Sequence, residues 1–297
     1  KIQRELWRTK WVEIMNYLYS VSGGRTSGYM ASLAKELHPD DNVLFIFANT
    51  GKEDEETLIF LDKCDKQFNL NLVWVEAVVN PLSGVGTTYK VVDFNTAARD
   101  GRPFKDVIEK YGIPNKAYPH CNRELKLAPI HKYAKDFFKG DKYKTAIGIR
   151  TDESRRVSAK ADVAHGGGII YPLIDLVPTD KQDVNSYWED MPFNLNLPEH
   201  RGNCVTCWKK SDRKLFTLIK EDEKAFDFFR EMEKLHKFSG SNDGINGRVF
   251  FRKNRSYDDL YAEYLASDFE SFVDPRFNKN LDLNGGCSES CELYETE

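Results

Sequence analysis

Two features of this 297-residue chain could do chemistry: a serine–glycine turn and a set of six cysteines. The turn is Ser22-Gly23-Gly24-Arg25-Thr26-Ser27, entered from the apolar segment Leu18–Val21. Behind it, the spacing of Met30, Leu33, Ala34 and Leu37 is helical. Gly23 and Gly24 carry no Cβ, so the backbone can turn tightly and come close to a ligand. A helix start aims N–H groups and the positive end of the helix dipole at one point, which suits phosphate. Ser22, Thr26 and Ser27 add hydroxyls and Arg25 adds charge. An ordinary strand-to-helix turn carries the same signature, so the turn needs support from elsewhere in the chain.

Among the cysteines, Cys204-Val-Thr-Cys207 is a C-x2-C pair, and Cys121 stands 83 positions before it. Cys287 and Cys291 form a C-x3-C pair near the end of the chain. The first residues, Lys1-Ile-Gln-Arg-Glu-Leu-Trp-Arg, are charged and lack the apolar region of a secretion signal. Cysteines in such a chain read as metal ligands or catalytic thiols before disulfides. The two pairs offer four soft ligands, the number tetrahedral zinc takes; unmetallated thiols are a further reading. Cys64, among Phe60, Leu61 and Phe68, reads as a core residue. Arg150, Arg155 and Arg156, after an apolar strand, suit bidentate pairing with phosphate or sulfate. Lys126 follows Cys121 by about one helical turn and could do the same or balance a metal centre's charge. The bland alternative for these arginines is a solvated basic face. Lys209, Lys210, Arg213 and Lys214 suit either a nucleic-acid backbone or an exposed helix.

Ser22–Ser27 resembles the Ser-Gly-Gly-x-Asp-Ser loop of the phosphoadenosine phosphosulfate (PAPS) reductase family and its ATP-pyrophosphatase relatives. Three further blocks follow in the family's order. Val43–Thr57 is similar to its strand, Asp-Thr-Gly and Glu-Thr segment, with Asn49 in place of the usual Asp before Thr50-Gly51. Ile147–Arg156 is similar to its Gly-x-Arg element, and Tyr171–Leu176 with Asp183–Trp188 to its Pro-Leu and Asp-Val-Trp stretch. The resemblance implies ATP or a related adenine nucleotide on Ser22–Ser27 and Thr50-Gly51. It also implies a four-iron four-sulfur cluster on Cys121, Cys204 and Cys207, as in the adenylylsulfate reductases, with zinc as the alternative. The tandem Cys-Cys of that branch is Cys121-Asn122 here, which leaves one ligand missing; His120, Cys287 or Cys291 could replace it. Thr26 replaces the loop carboxylate that helps hold magnesium, a cation that prefers oxygen anions. Magnesium use therefore stays open, with Glu53, Asp54, Asp152 and Glu153 as substitutes.

The function implied is an enzyme of sulfur metabolism: adenylyl activation with pyrophosphate release, then sulfur transfer to a nucleic-acid or small-molecule acceptor. Arg150, Arg156 and Lys126 are the expected catalytic residues. The first alternative is a sulfonucleotide reductase using a tail thiol, but Glu289, Glu292 and Glu295 surround Cys291 and would raise its pKa. The second is an inert nucleotide-binding module with a structural zinc.

Positioning these residues needs strands alternating with helices, hence a doubly wound, mainly parallel α/β sheet with ligands beyond the strands' carboxyl ends. Expected strands are Leu18–Val21, Val43–Phe47, Leu72–Glu76 and Lys144–Ile149. Expected helices are Thr26–Leu37, Glu55–Phe68, Arg123–Phe138 and Asp180–Glu189. Residues 80–103 read as a loop-like lid. A nucleotide domain over 1–200 and a mainly helical, cysteine-bearing cap over 201–297 are expected. A net charge of −4 excludes an overall basic field. No apolar run approaches the roughly 20 residues of a membrane span. A cytoplasmic protein is expected, and homo-oligomerisation stays open.

Overall fold

Alternation with a period of two builds the centre of the molecule. Along strand β1 (Asn16–Ser20), Tyr17 and Tyr19 enter one apolar core and Leu18 the other. Strand β2 (Asn42–Asn49) divides the same way, Phe45 and Phe47 against Leu44, Ile46 and Ala48. A strand buried on both faces needs helices on both, and the chain supplies them. Helices α1 (Arg25–Leu37) and α2 (Glu55–Phe68) send Met30, Ala34, Phe60 and Leu61 into the first core. Cys64 lies in that core and is fully buried, as its apolar neighbours implied.

The computed structural model describes residues 14–157, 168–240 and 247–271. Strands β3 (Val73–Val78), β4 (Thr88–Val92), β5 (Lys144–Ala146) and β6 (Ile169–Ile170) complete a six-stranded sheet in the order β4-β3-β2-β1-β5-β6. All neighbouring pairs are parallel except β3 with β4. The fold is α/β with a mainly parallel sheet, as the alternation of elements required.

Between β4 and β5 lie α3 (Arg102–Tyr111), α4 (His120–Asn122), a π-helical turn (Arg123–Leu127) and α5 (Ala128–Phe137). The expected single helix over Arg123–Phe138 is thus interrupted. Pro129 explains the π register: it has no N–H to give the Leu125 carbonyl, and its ring would crowd that oxygen. The residues 80–103 expected as a lid instead contain β4, which pairs with β3 in register Glu76↔Lys90. As an edge strand with two of its five residues exposed and none buried, β4 lacks a strong apolar signal.

After a short 3-10 segment (Thr151–Arg156) and β6 come α6 (Pro172–Asp175) and α7 (Lys181–Asp190). Asp180 caps α7 by accepting from the Gln182 and Asp183 amides. Helices α8 (Asp212–Glu221), α9 (Asp227–His236) and α10 (Tyr257–Ala266) form the C-terminal helical layer. Leu215, Phe229, Phe250 and Leu260 from this part share one core with Phe104, Val107 and Ile108 of α3 and with Leu125. That core crosses residue 200, so the helices pack on the sheet domain's own α3. Among the described residues no helix is long and apolar enough to cross a membrane. Lys1–Arg8, Cys287, Cys291 and the glutamates around Cys291 lie outside the described residues, as does the Arg155 side chain.

Candidate nucleotide and thiol site

The serine–glycine turn sits at the carboxyl end of β1 and opens α1. Gly23 has φ +86°, and a Cβ there would stand 2.4 Å from the Thr57 methyl. Both facts demand glycine. Gly24 is the N-cap of α1 with an ordinary φ of −88° and no side chain to cap the first turn. The Ser27 hydroxyl accepts from the Ser22 amide at 3.1 Å, lies 3.1 Å from the Ser22 hydroxyl and donates to the Gly24 carbonyl at 3.0 Å. Together these bonds fix the turn that the sequence singled out.

Arg25 corrects one expectation. Its side chain is buried, with Nε donating to Asn194 Oδ1 at 2.8 Å and the guanidinium also bonded to the Leu195 carbonyl. Trp188 Nε1 donates to the Arg25 carbonyl at 2.9 Å. Arg25 therefore ties the turn to the segment after α7, rather than reaching out as a phosphate clamp.

Thr50 and Gly51 stand at the end of β2, next to that turn. Gly51 has φ +76°, and a Cβ there would lie 3.0 Å from the Gly101 backbone. Glu53 clamps the turn: its carboxylate accepts from the Thr50 amide and hydroxyl at 2.8–2.9 Å. Asn49, the departure from Asp, is explained by its register partner Glu76 on β3. Asn49 Nδ2 donates to Glu76 Oε1 at 2.7 Å and to the Ala98 carbonyl at 2.8 Å, while its Oδ1 accepts from the Gly51 amide at 3.3 Å. An Asp here would face a buried carboxylate; an amide can donate to it.

Arg150 is buried after β5 and its guanidinium meets Thr26, Asp152 and, at 3.4 Å, Glu153. Nη1 donates to the Thr26 hydroxyl at 2.9 Å, and Nε and Nη2 pair bidentately with Asp152 at 2.9 and 3.0 Å. Arg156 Nη1 donates to Glu153 at 2.6 Å. Arg150 thus braces the start of α1 from behind. Of the carboxylates weighed as magnesium ligands, Asp152 and Glu153 are paired with these arginines. Asp54 caps α2 and pairs with Arg201 at 3.0 Å, and Glu53 is bound to Thr50.

The cysteines come together across the sheet's end. Cys121, Cys204 and Cys207 line one cleft with Thr50, Asn122 and Lys126, closed on its apolar side by Phe104, Leu125, Trp208 and Phe229. A bridge between Glu53 and Cys204, with Val205 N donating to the Lys52 carbonyl at 3.0 Å, fastens the C-x2-C loop to the Thr50 turn. Cys204 Sγ lies 3.4 Å from Thr50 Oγ1. The donor set is soft and borders one cavity. Yet among the described residues no group of three or more His, Cys, Asp or Glu side chains is drawn together as one metal ion requires. Tetrahedral zinc, with bonds near 2.3 Å, would need sulfurs roughly 3.8 Å apart. Cys121, Cys204 and Cys207 border the same cleft without being drawn to one point.

His120 is turned away as a replacement ligand through Nε2, which lies 3.0 Å from the Gly112 carbonyl, and burial pushes its pKa down to about 4. Two of the lysines read as a nucleic-acid surface are buried. Lys210 Nζ donates to the His200 and Val205 carbonyls at 2.5 and 2.6 Å, and Lys214 pairs with Glu199 at 2.7 Å. Both hold the loop that carries the cysteines. Lys52, Glu76 and Trp208 were not singled out by sequence reasoning. Only Lys52, beside the Thr-Gly turn, carried any local signal. Burial lowers the Lys52 pKa, opposed by Cys204 and Glu53, and its ammonium sits 4.7 Å from the Phe228 ring centre.

Residues 16–84 match the model of the phosphoadenosine phosphosulfate reductase domain. Over 93% of this chain and 94% of the relative, the sequence is 32% identical to an uncharacterized nin region protein of Escherichia phage lambda. An uncharacterized protein of Methanocaldococcus jannaschii is 31% identical over 54% of this chain and 31% of its own length. A second from the same archaeon is 25% identical over 64% of this chain and 35% of its own length.

Proposed function

The chain belongs to the phosphoadenosine phosphosulfate reductase family, and on that premise we propose that it is an adenine-nucleotide-dependent enzyme that moves sulfur. The family carries the coarser part, a nucleotide-binding role. The finer part is supported by one observation above all: Cys204 Sγ stands 3.4 Å from Thr50 Oγ1, at the strand ends where the phosphate turn also lies. In this reading, nucleotide chemistry and thiol chemistry meet at that edge of the sheet.

In this reading the substrate is ATP, its phosphates on the amides of Gly24 and the first turn of α1. An acceptor oxygen attacks the α-phosphorus and pyrophosphate leaves. Arg150 and Arg156 act as positioning residues, since both are held by carboxylates: Arg150 keeps Thr26, and with it the helix start, in place. Catalysis is then mainly orientation and charge stabilisation by fixed dipoles. Lys126, at the thiol cleft, contributes positive charge, and Trp208, Phe104 and Phe229 exclude water. A four-iron four-sulfur cluster on Cys121, Cys204 and Cys207 would supply sulfide chemistry at that cleft. Because Lys210 and Lys214 are buried, the acceptor is read as a small molecule.

The test is metal content after anaerobic purification. Cys121→Ser, Cys204→Ser and Cys207→Ser should each lose iron and visible charge-transfer absorption in parallel. Full metal in the Cys121 variant, or stoichiometric zinc in a colourless protein, would contradict the reading.

A further inference from the structure

A second cleft opens beside the phosphate turn, bounded by Gly23, Gly24, Thr57, Gly202 and Asn203. Asn203 immediately precedes Cys204. It is 9% exposed, and its Oδ1 is fully buried with no hydrogen-bond partner among the described residues. Its φ is +59°, the left-handed region that Asn and Gly enter more readily than other residues. A buried amide oxygen without a partner is unfavourable, and native proteins rarely leave one so unless something else completes it. Rotation of the terminal amide exchanges its oxygen and nitrogen at little steric cost, so Asn203 can offer Nδ2 to the cleft.

The electrostatics of the cleft favour an anion. Glu199 also borders it, but although burial raises its pKa, Lys214 and Lys181 at 2.7 and 2.8 Å more than offset this and hold it low. Its charge is matched. Arg25 forms part of the wall, and the glycine turn contributes the start of α1.

We propose that Asn203 donates from Nδ2 to a phosphate oxygen of the nucleotide seated on the Gly23–Gly24 turn. This rests on the nucleotide reading above and adds a contact from the cysteine loop. The ligand then bridges the phosphate turn and the residue next to Cys204. Occupancy of one site fixes the geometry of the other, and the coupling is reciprocal.

The experiment is calorimetric titration of the full-length protein with ATP and, separately, with inorganic pyrophosphate. Wild type is compared with Asn203→Asp and Asn203→Gly. Asp keeps the size and tolerates the same φ but presents a negative acceptor, while Gly keeps the backbone and removes the amide. We expect Asn203→Asp to weaken both ligands by about tenfold or more and Asn203→Gly by several-fold. The melting temperature without ligand reports whether each variant is folded, and Asn203→Gly decides if Asn203→Asp is not. Wild-type affinity in the folded variants overturns the Asn203 contact and leaves the phosphate turn standing. Failure of wild type to bind either ligand overturns the nucleotide reading and this contact with it.

Discussion

Glu76 and Glu233 are both buried carboxylates, and the molecule treats them in opposite ways. Glu76, under the end of the sheet, is met by Asn49 Nδ2 at 2.7 Å, the Ala98 amide at 2.5 Å and the Lys90 ammonium at 2.8 Å. Glu233, on α9 in the helical layer, accepts only from the Phe250 and Tyr257 amides, at 3.0 and 2.8 Å. No Lys, Arg or His side chain pairs with it among the described residues. Burial therefore pushes its pKa up to about 6, with Asp258 and Asp259 adding to the rise. The contrast lies in how each buried charge is met. At the strand end that carries Thr50, charges and amides are matched so that the turn is fixed before any ligand arrives. In the layer that presents Phe229 to the thiol cleft, a carboxylate is held by backbone amides alone.

The sharpest way to break the contrast is Asn49→Asp. That change loses the donors to Glu76 and Ala98 and sets two carboxylates together where neither is exposed. Leaving a buried charge uncompensated costs about 3–5 kcal/mol. Urea unfolding should show a loss of that order at neutral pH, shrinking in acid as one carboxyl takes a proton. An unchanged midpoint at neutral pH would mean that Glu76 does not govern the residue at 49.

A smaller effect belongs to Glu233. Its folded pKa, about 6, lies above the ordinary 4.5, so folding takes up a proton between those values. The sign follows: its contribution to stability is fully present below pH 4.5 and is lost as pH rises through about 6. Wild type should therefore fall by about 1–2 kcal/mol relative to Glu233→Gln between pH 4.5 and 7, read from paired urea midpoints. A difference that stays flat with pH would show that the carboxyl does not titrate there.

The same contrast explains what the sequence reveals. The Ser22–Ser27 turn is legible because its hydrogen bonds run between residues a few positions apart, and Gly23 is demanded by a local φ. The parallel sheet is legible because both faces of β1 and β2 are apolar. By contrast, the reason for Asn49 lies 27 residues away on a neighbouring strand, and no local pattern shows it. Lys210 and Lys214 look like surface charge because a lysine that caps carbonyls or pairs with a buried glutamate is spelled the same as a solvated one. The helix α3 did carry a legible signal, Pro103, Phe104, Val107 and Ile108 at helical spacing after Gly101, though it is absent from the expected helices. The cysteine cleft was legible in its members but not in its walls, since Trp208 and Phe229 reach it only through packing of the helical layer.

The central claim, that a nucleotide's phosphates lie on the turn at the end of β1, is tested most directly at Gly24. Its φ of −88° and ψ of 162° are open to any side chain, so Gly24→Val should preserve the fold. It should also place a branched group over the first amides of α1. Titration with ATP should then show binding to wild type and none to Gly24→Val, with the two proteins melting alike. Equal affinity in both would place the phosphates elsewhere and contradict the account.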